Sequence, residues 1–168
     1  ATQWIFEQPG VDGLRVACTG VSQGGTHSWM LPALEPRIAA AAPVCGVCTF
    51  QSVIDNIRDE RYDSAWRSFL DSHSIYYYVP GHLDFFEQQD LCALVAPRPF
   101  ALIGADHDNC FPLDGMREAA RDLARFYRVL GRPAAFKYVE FSGEHSMPLH
   151  SRETAYNFIA AAFRAVGR

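Results

Sequence analysis

The stretch Arg15-Val16-Ala17-Cys18-Thr19-Gly20-Val21-Ser22-Gln23-Gly24-Gly25 decides the reading of this chain. It opens on a short apolar run over 15–19, passes through Gly20-Val21-Ser22-Gln23-Gly24, and leads into a helical segment over 25–34 that stops near Pro36. A bare GxSxG arises by chance in a chain of this length with a probability of about 5%, so the context carries the weight. A strand that turns sharply into a helix holds its serine in a strained conformation. It also brings two backbones together, which calls for small neighbours. The turn lifts the hydroxyl off the sheet, and the helix that follows aims backbone N–H groups at the same place. The turn therefore predicts a nucleophile at Ser22, with the backbone N–H groups of the helix start facing a developing oxyanion.

Outward from this turn the chain alternates strand-like and helical patterns. Residues 38–43 form a second apolar run, and Pro-Phe-Ala-Leu-Ile-Gly over 99–104 reads as a third strand. Apolar residues at 113, 116, 119, 120, 123, 126, 127 and 130 have helical spacing, and Gly131 ends that helix. Residues 135–141 alternate as a fourth strand, and 153–166 form a last amphipathic helix. Alternation of this kind predicts one α/β domain over 1–168, a mostly parallel sheet of about four strands flanked by helices. The segment over 44–97 breaks the pattern and reads as helices and loops over one end of the sheet. Within it Tyr76, Tyr77 and Tyr78 either line a substrate site or pack on the sheet.

A serine nucleophile needs a base, and the base needs a carboxylate to orient it. Asp108 is the first choice for that carboxylate and Asp106 the second, both in the loop after the third strand. His145 follows the fourth strand and reads as the base. The order Ser, Asp, His at three successive strand ends is that of the α/β-hydrolase triad. His27, on the helix after the turn, either lines the site or packs, with packing favoured. His107 sits in the acid's loop rather than the base's, and His73, His82 and His150 read as surface or loop residues. No HxH or HxxxH pair marks a metal site, and the proposed chemistry needs no cofactor.

Five cysteines at 18, 45, 48, 92 and 110 are odd in number and irregular in spacing, which argues against a disulfide framework. Cys45-Gly46-Val47-Cys48 is a CxxC, read as small buried thiols at a strand end because no helix opens there and no second ligand pair lies near. The chain has 168 residues, 15 Lys and Arg against 19 Asp and Glu, and a net charge of −4. That balance gives no electrostatic support for nucleic-acid binding. No apolar run approaches a membrane span. No signal peptide is visible, which leaves localisation open with cytoplasm favoured.

On these residues the chain resembles α/β hydrolases of the branch that holds dienelactone hydrolases, acetyl xylan esterases and prolyl-oligopeptidase-like enzymes. The matching stretches are VDGLRVACTGVSQGG, LEPRIAAAAPVCG, DLCALVAPRPFALIGADHDNCFP and FSGEHSM, with Ala96-Pro97-Arg98-Pro99 typical of the branch. The resemblance implies Ser22 as nucleophile, Asp108 as acid, His145 as base and Gln23 as half of the oxyanion hole. It implies cleavage of a small carboxylic ester through an acyl-enzyme. The alternatives are a serine peptidase or a non-catalytic binding module. It implies further that the strands the family places before the turn are absent, leaving only 1–13 as a helix tail and a turn. The strand at 15–19 would then be an open edge, which pairs with a complementing N-terminal fragment or a second copy.

Overall fold

The computed structural model describes residues 2–58 and 81–166. Four strands build one parallel sheet in the order β1 (Ala17–Val21), β2 (Ala40–Val44), β3 (Phe100–Ala105), β4 (Phe136–Phe141). Sequence order and spatial order coincide, so the carboxyl ends of all four strands lie along one rim. Register is continuous from Ala17 opposite Ala40 to Ala105 opposite Phe141. Side-chain alternation divides β3 between two cores. Phe100 and Leu102 face one, with Trp29, Val53, Met116, Leu123 and Tyr127. Ala101, Ile103 and Ala105 face the other, with Val44, Phe141 and Ala155. Helices α2 (Gln23–Leu34) and α5 (Leu113–Val129) cover the first face, and α6 (Leu149–Val166) covers the second. Buried on both faces, β2 and β3 carry no polar side chain, as parallel strands between helix layers require.

The remaining elements among the described residues are α1 (Thr2–Phe6), α3 (Phe50–Arg58), α4 (Gln88–Cys92) and three short 3₁₀ turns. The helices and two 3₁₀ turns over 50–58 and 82–95 form the described part of the expected excursion. Tyr76, Tyr77 and Tyr78 lie outside the described residues. No described helix is long and apolar enough to cross a membrane.

Several boundaries move. The first strand covers 17–21 rather than 15–19, because its partner β2 covers 40–44 rather than 38–43 and the two slide together. The helix after Ser22 begins at Gln23, two residues earlier than expected. The last helix begins at Leu149, where the chain after Pro148 already makes helical bonds, with Arg152 N–H donating to Pro148 O at 3.1 Å. His82 is buried, not at the surface. Its ring meets Phe50 edge-on at 4.8 Å and Phe86 at 5.7 Å.

The APRP stretch has a structural account. The Arg98 guanidinium donates to the carbonyls of Pro32 (2.7 Å), Ile38 (2.8 Å), Glu35 (3.2 Å) and Leu94 (3.3 Å), and its Nε to Val95 O (3.0 Å). Pro32 and Glu35 end α2, where carbonyls lack intrahelical partners and a cation is favoured. One side chain thus ties the end of α2 and the approach to β2 to the turn before β3. It acts at the rim opposite Ser22.

Candidate active site

Four residues follow the four strands along the carboxyl rim: Ser22 after β1, Cys45 after β2, Asp108 after β3 and His145 after β4. Ser22 has φ 59° and ψ −123°, a conformation that L-residues rarely hold and that costs about 1–3 kcal/mol. Its N–H donates to Val44 O at 3.2 Å, and its carbonyl accepts from Thr26 N–H at 2.9 Å. The strain is enforced by backbone packing. A Cβ on Gly20 would stand 2.8 Å from the Gly24 carbonyl carbon, and one on Gly25 would stand 2.5 Å from Val44 O. A Cβ on Gly46 would stand 2.5 Å from the Gly25 carbonyl carbon. Helix α2 therefore starts pressed onto the end of β2. Gly24, the last letter of the motif, has open space around it among the described residues. Gly25 and Gly46, outside the motif, carry the close approach instead.

The first turn of α2 sorts its side chains by face. Thr26 and Trp29 point inward, and both donate to Gly46 O, at 3.4 Å and 3.0 Å. His27 is exposed, so the favoured packing role fails: its neighbours take the inward positions. Gln23 is exposed, and its N–H belongs to the first amides of a helix, which have no intrahelical acceptor.

Asp108 and His145 meet. His145 Nδ1–H donates to both carboxylate oxygens of Asp108, at 2.9 Å and 3.0 Å, and the Asp108 side chain is only 1% exposed. Asp108 Oδ1 also accepts from the N–H groups of Cys110 (2.8 Å) and Phe111 (2.9 Å). A buried carboxylate with backbone donors and an imidazole is satisfied on the geometry required of it. With Nδ1 donating to the carboxylate, the neutral ring leaves Nε2 as an acceptor. The Phe111 ring lies parallel to the imidazole, 7° off, with centroids 5.7 Å apart. The ring is therefore held by the carboxylate at one edge and an aromatic plane alongside.

Asp106 does not touch His145. Its Oδ1 accepts from Gly143 N–H at 2.9 Å and faces His107 Nδ1 at 2.6 Å. The Gly143 amide, together with His107, holds its carboxyl below the usual carboxylate range. Asp106 N–H donates to Phe141 O, and His107 N–H to Gly143 O, each at 3.0 Å. These bonds fasten the loop after β3 to the loop after β4, the two loops that carry Asp108 and His145.

Reach is the remaining geometric problem. At about 4.8 Å per strand, β1 and β4 stand roughly 14 Å apart. The loop after β4 crosses that gap. Cys45 Sγ–H donates to Ser146 O at 3.5 Å, which sets the residue after His145 above the end of β2, one strand from Ser22. Cys45 itself has φ 44° and is buried. Burial and then the Asp108 carboxylate push its thiol up to about 12. Cys48 is also fully buried and shifted upward by that burial. All five cysteines are unpaired thiols. Sequence reasoning placed Cys45 at a strand end but missed its place beside Asp108 and His145. The strand order that creates it is not written in the CxxC.

Comparison with known proteins places this arrangement. The family model for acetyl xylan esterase (AXE1) matches residues 1–159. A protein of Bacillus subtilis (strain 168) described as "Putative hydrolase YtaP" is 26% identical over 145 residues, 86% of this chain and 45% of that protein. Among solved structures, a carbohydrate esterase family 15 glucuronoyl esterase from Caldicellulosiruptor kristjansonii superposes with a TM-score of 0.74 at 19% identity. It covers 94% of this chain and 45% of its own. A glucuronoyl esterase from Solibacter usitatus gives 0.70 at 16% identity, with coverages of 95% and 45%. The chain thus spans less than half the length of these relatives. The structural likeness shows the α/β-hydrolase fold, and the match over 1–159 shows the lineage: the chain belongs to the acetyl xylan esterase (AXE1) family.

Proposed function

We propose that this chain carries the catalytic residues of a carboxylic ester hydrolase that works through an acyl-enzyme. The observation that carries the proposal is the buried Asp108 carboxylate bonded to His145 Nδ1 on the same rim as a strained Ser22. Ser22 Oγ attacks the ester carbonyl carbon while His145 Nε2 takes its proton. Asp108 holds the ring and stabilises the imidazolium. The Gln23 N–H, at the start of α2, donates to the oxyanion. The tetrahedral species collapses, the alcohol leaves with the proton from His145, and an ester to Ser22 remains. Water then attacks that ester with His145 again as base, which returns free Ser22 and the acid.

An acylated carbohydrate is the substrate class we favour. The family is described as acetyl xylan esterase, and the solved neighbours as glucuronoyl esterases. The proposal extends to the sheet. Strand β1 is half-buried along its whole length and pairs on one side only among the described residues. A further strand, from a complementing segment or a second copy, pairs with its open edge and adds a second oxyanion donor. The test is turnover of p-nitrophenyl acetate by the chain and by Ser22→Ala. Turnover that vanishes in the variant supports the proposal. Equal rates in both overturn it.

A further inference from the structure

Cys45, Asp108 and His145 each turn one ligating atom toward the others, and these atoms lie within 4.8 Å of one another. They come from three different strand ends and are 63 and 37 positions apart in the chain. The cluster is neither a Ser-His-Asp requirement nor explained by packing alone. A nucleophile, a base and an acid need no thiol beside them, yet Cys45 is fully buried against the acid in a backbone conformation that favours glycine. We propose that Cys45, Asp108 and His145 form a site for a thiophilic divalent cation, Zn²⁺ in the first place, and that its occupation switches the catalytic site off.

The donor set fits such an ion. Zn²⁺ takes thiolate, imidazole and carboxylate at about 2.0–2.3 Å, so ligand atoms of a tetrahedral site stand about 3.3–3.7 Å apart. To reach that spacing, Nδ1 and the Asp108 oxygens part from 2.9–3.0 Å while the wider pairs close from at most 4.8 Å. A thiolate disfavours Mg²⁺ and Ca²⁺, which prefer oxygen. Charge closes as well. Cys45 releases its thiol proton to solvent, and its thiolate and the Asp108 carboxylate balance the two positive charges. Three protein ligands leave one position for water.

The consequence for catalysis follows from the imidazole, and this clause rests on the proposed esterase mechanism. The ring nitrogen on the Asp108 side is Nδ1. A cation there displaces the Nδ1 proton, and the neutral ring then carries its proton on Nε2. That nitrogen no longer accepts the proton of Ser22, and Asp108 no longer orients the ring. The three ligands are thus the two residues that activate Ser22 and a third that takes no part in the reaction.

The experiment separates binding from activity. Cd²⁺ is titrated into the chain, and the thiolate-to-metal charge-transfer band in the ultraviolet is read. The expected result is one equivalent bound, with binding weakened more than about 100-fold in Cys45→Ala, beyond what loss of a merely supporting residue causes. Cys18→Ala, which removes the half-buried thiol of β1, keeps the band. Circular dichroism confirms that each variant is folded, and Cys45→Ser serves where Cys45→Ala is not. A band that persists in Cys45→Ala or Cys45→Ser, or no band in the parent, overturns the site. In parallel, a fluorophosphonate labels Ser22 with and without Zn²⁺. Labelling blocked by Zn²⁺ and restored by EDTA supports the switch. Labelling indifferent to Zn²⁺ overturns it while leaving the esterase proposal intact. Cd²⁺ binding through Cys45 with no labelling in any condition supports the metal site and overturns the esterase.

Discussion

Strands β1 and β2 end side by side, and each is followed by a non-glycine residue with positive φ. Ser22 has φ 59° and Cys45 has φ 44°. Both stand next to glycines that let α2 sit on the sheet, Gly20 and Gly25 on one side and Gly46 on the other. The two ends differ in what surrounds the side chain. Ser22 is only partly buried, and the amides of a helix start beside it. Cys45 is sealed between its own strand, the Asp108 carboxylate and the Ser146 carbonyl. The same backbone device thus leaves one polar side chain partly exposed beside a helix start and turns another in under the loop after β4. Position along a rim, not residue type alone, separates the two roles.

The largest expected difference between the two ends is kinetic. Ser22→Ala lowers ester turnover by about 10⁴-fold or more, as loss of a nucleophile does in related chemistry. Asp108→Asn lowers it by about 10⁴-fold, because the amide favours the wrong imidazole tautomer. Steady-state kinetics with p-nitrophenyl acetate reads both. A drop of less than tenfold in Ser22→Ala breaks the assignment of the β1 end as the reacting one, and one that small in Asp108→Asn breaks the assignment of the acid.

Next come the glycines that build the two ends. Gly25→Ala and Gly46→Ala push a methyl group into backbone atoms at 2.5 Å, and backbone yields less easily than side chains. Each is expected to cost about 3 kcal/mol or somewhat more, at the top of the usual range for overpacking. Gly24→Ala meets nothing and gains up to about 1 kcal/mol from helix propensity. Urea denaturation of the three variants measures this, and equal stabilities would remove the claim that α2 is pressed onto β2.

A smaller effect distinguishes the strained residues. Ser22→Gly relieves the backbone without leaving a buried void, so it is more stable than Ser22→Ala by about 1–2 kcal/mol. At Cys45 the same pair differs less, because glycine also gives up a buried Cβ. Thermal melts of the four variants compare the two ends directly.

The smallest effect concerns the bonds between the loops after β3 and β4. Asp106 is held below its ordinary carboxylate value, so its contribution to stability is present above the unfolded value of 3.8 and lost as pH falls through the lower folded one. Asp106→Asn is therefore less stable than the parent at neutral pH, and the gap closes on acidification below about 4. A gap that widens towards acid would reverse the sign and sink this account of the two loops.

Much of this was legible beforehand because it is local. The alternation of apolar runs and helical spacing carries the sheet, and small residues around a serine carry the turn from strand to helix. The choice between Asp108 and Asp106 was legible only as a preference. What separates them is that the Asp108 side chain turns inward beneath the imidazole, whereas Asp106 turns to the Gly143 amide. His27 and His82 were misplaced because a single histidine carries no periodic signal. Thr26 and Trp29 took the inward face of α2, and Phe50 and Phe86 drew His82 inside. Cys45 was invisible as a neighbour of Asp108, since strand order alone sets β2 between Ser22 and Asp108. Strand boundaries slipped by one or two residues because pairing, which is non-local, sets where a ladder begins.

The most direct test of the central claim is the intact mass of the folded chain after exposure to a fluorophosphonate, with Ser22→Ala beside it. The account predicts one phosphonyl adduct per chain, formed with loss of fluoride at Ser22 and absent from the variant. A folded parent that takes up no adduct, or a Ser22→Ala variant that takes up as much, would contradict it.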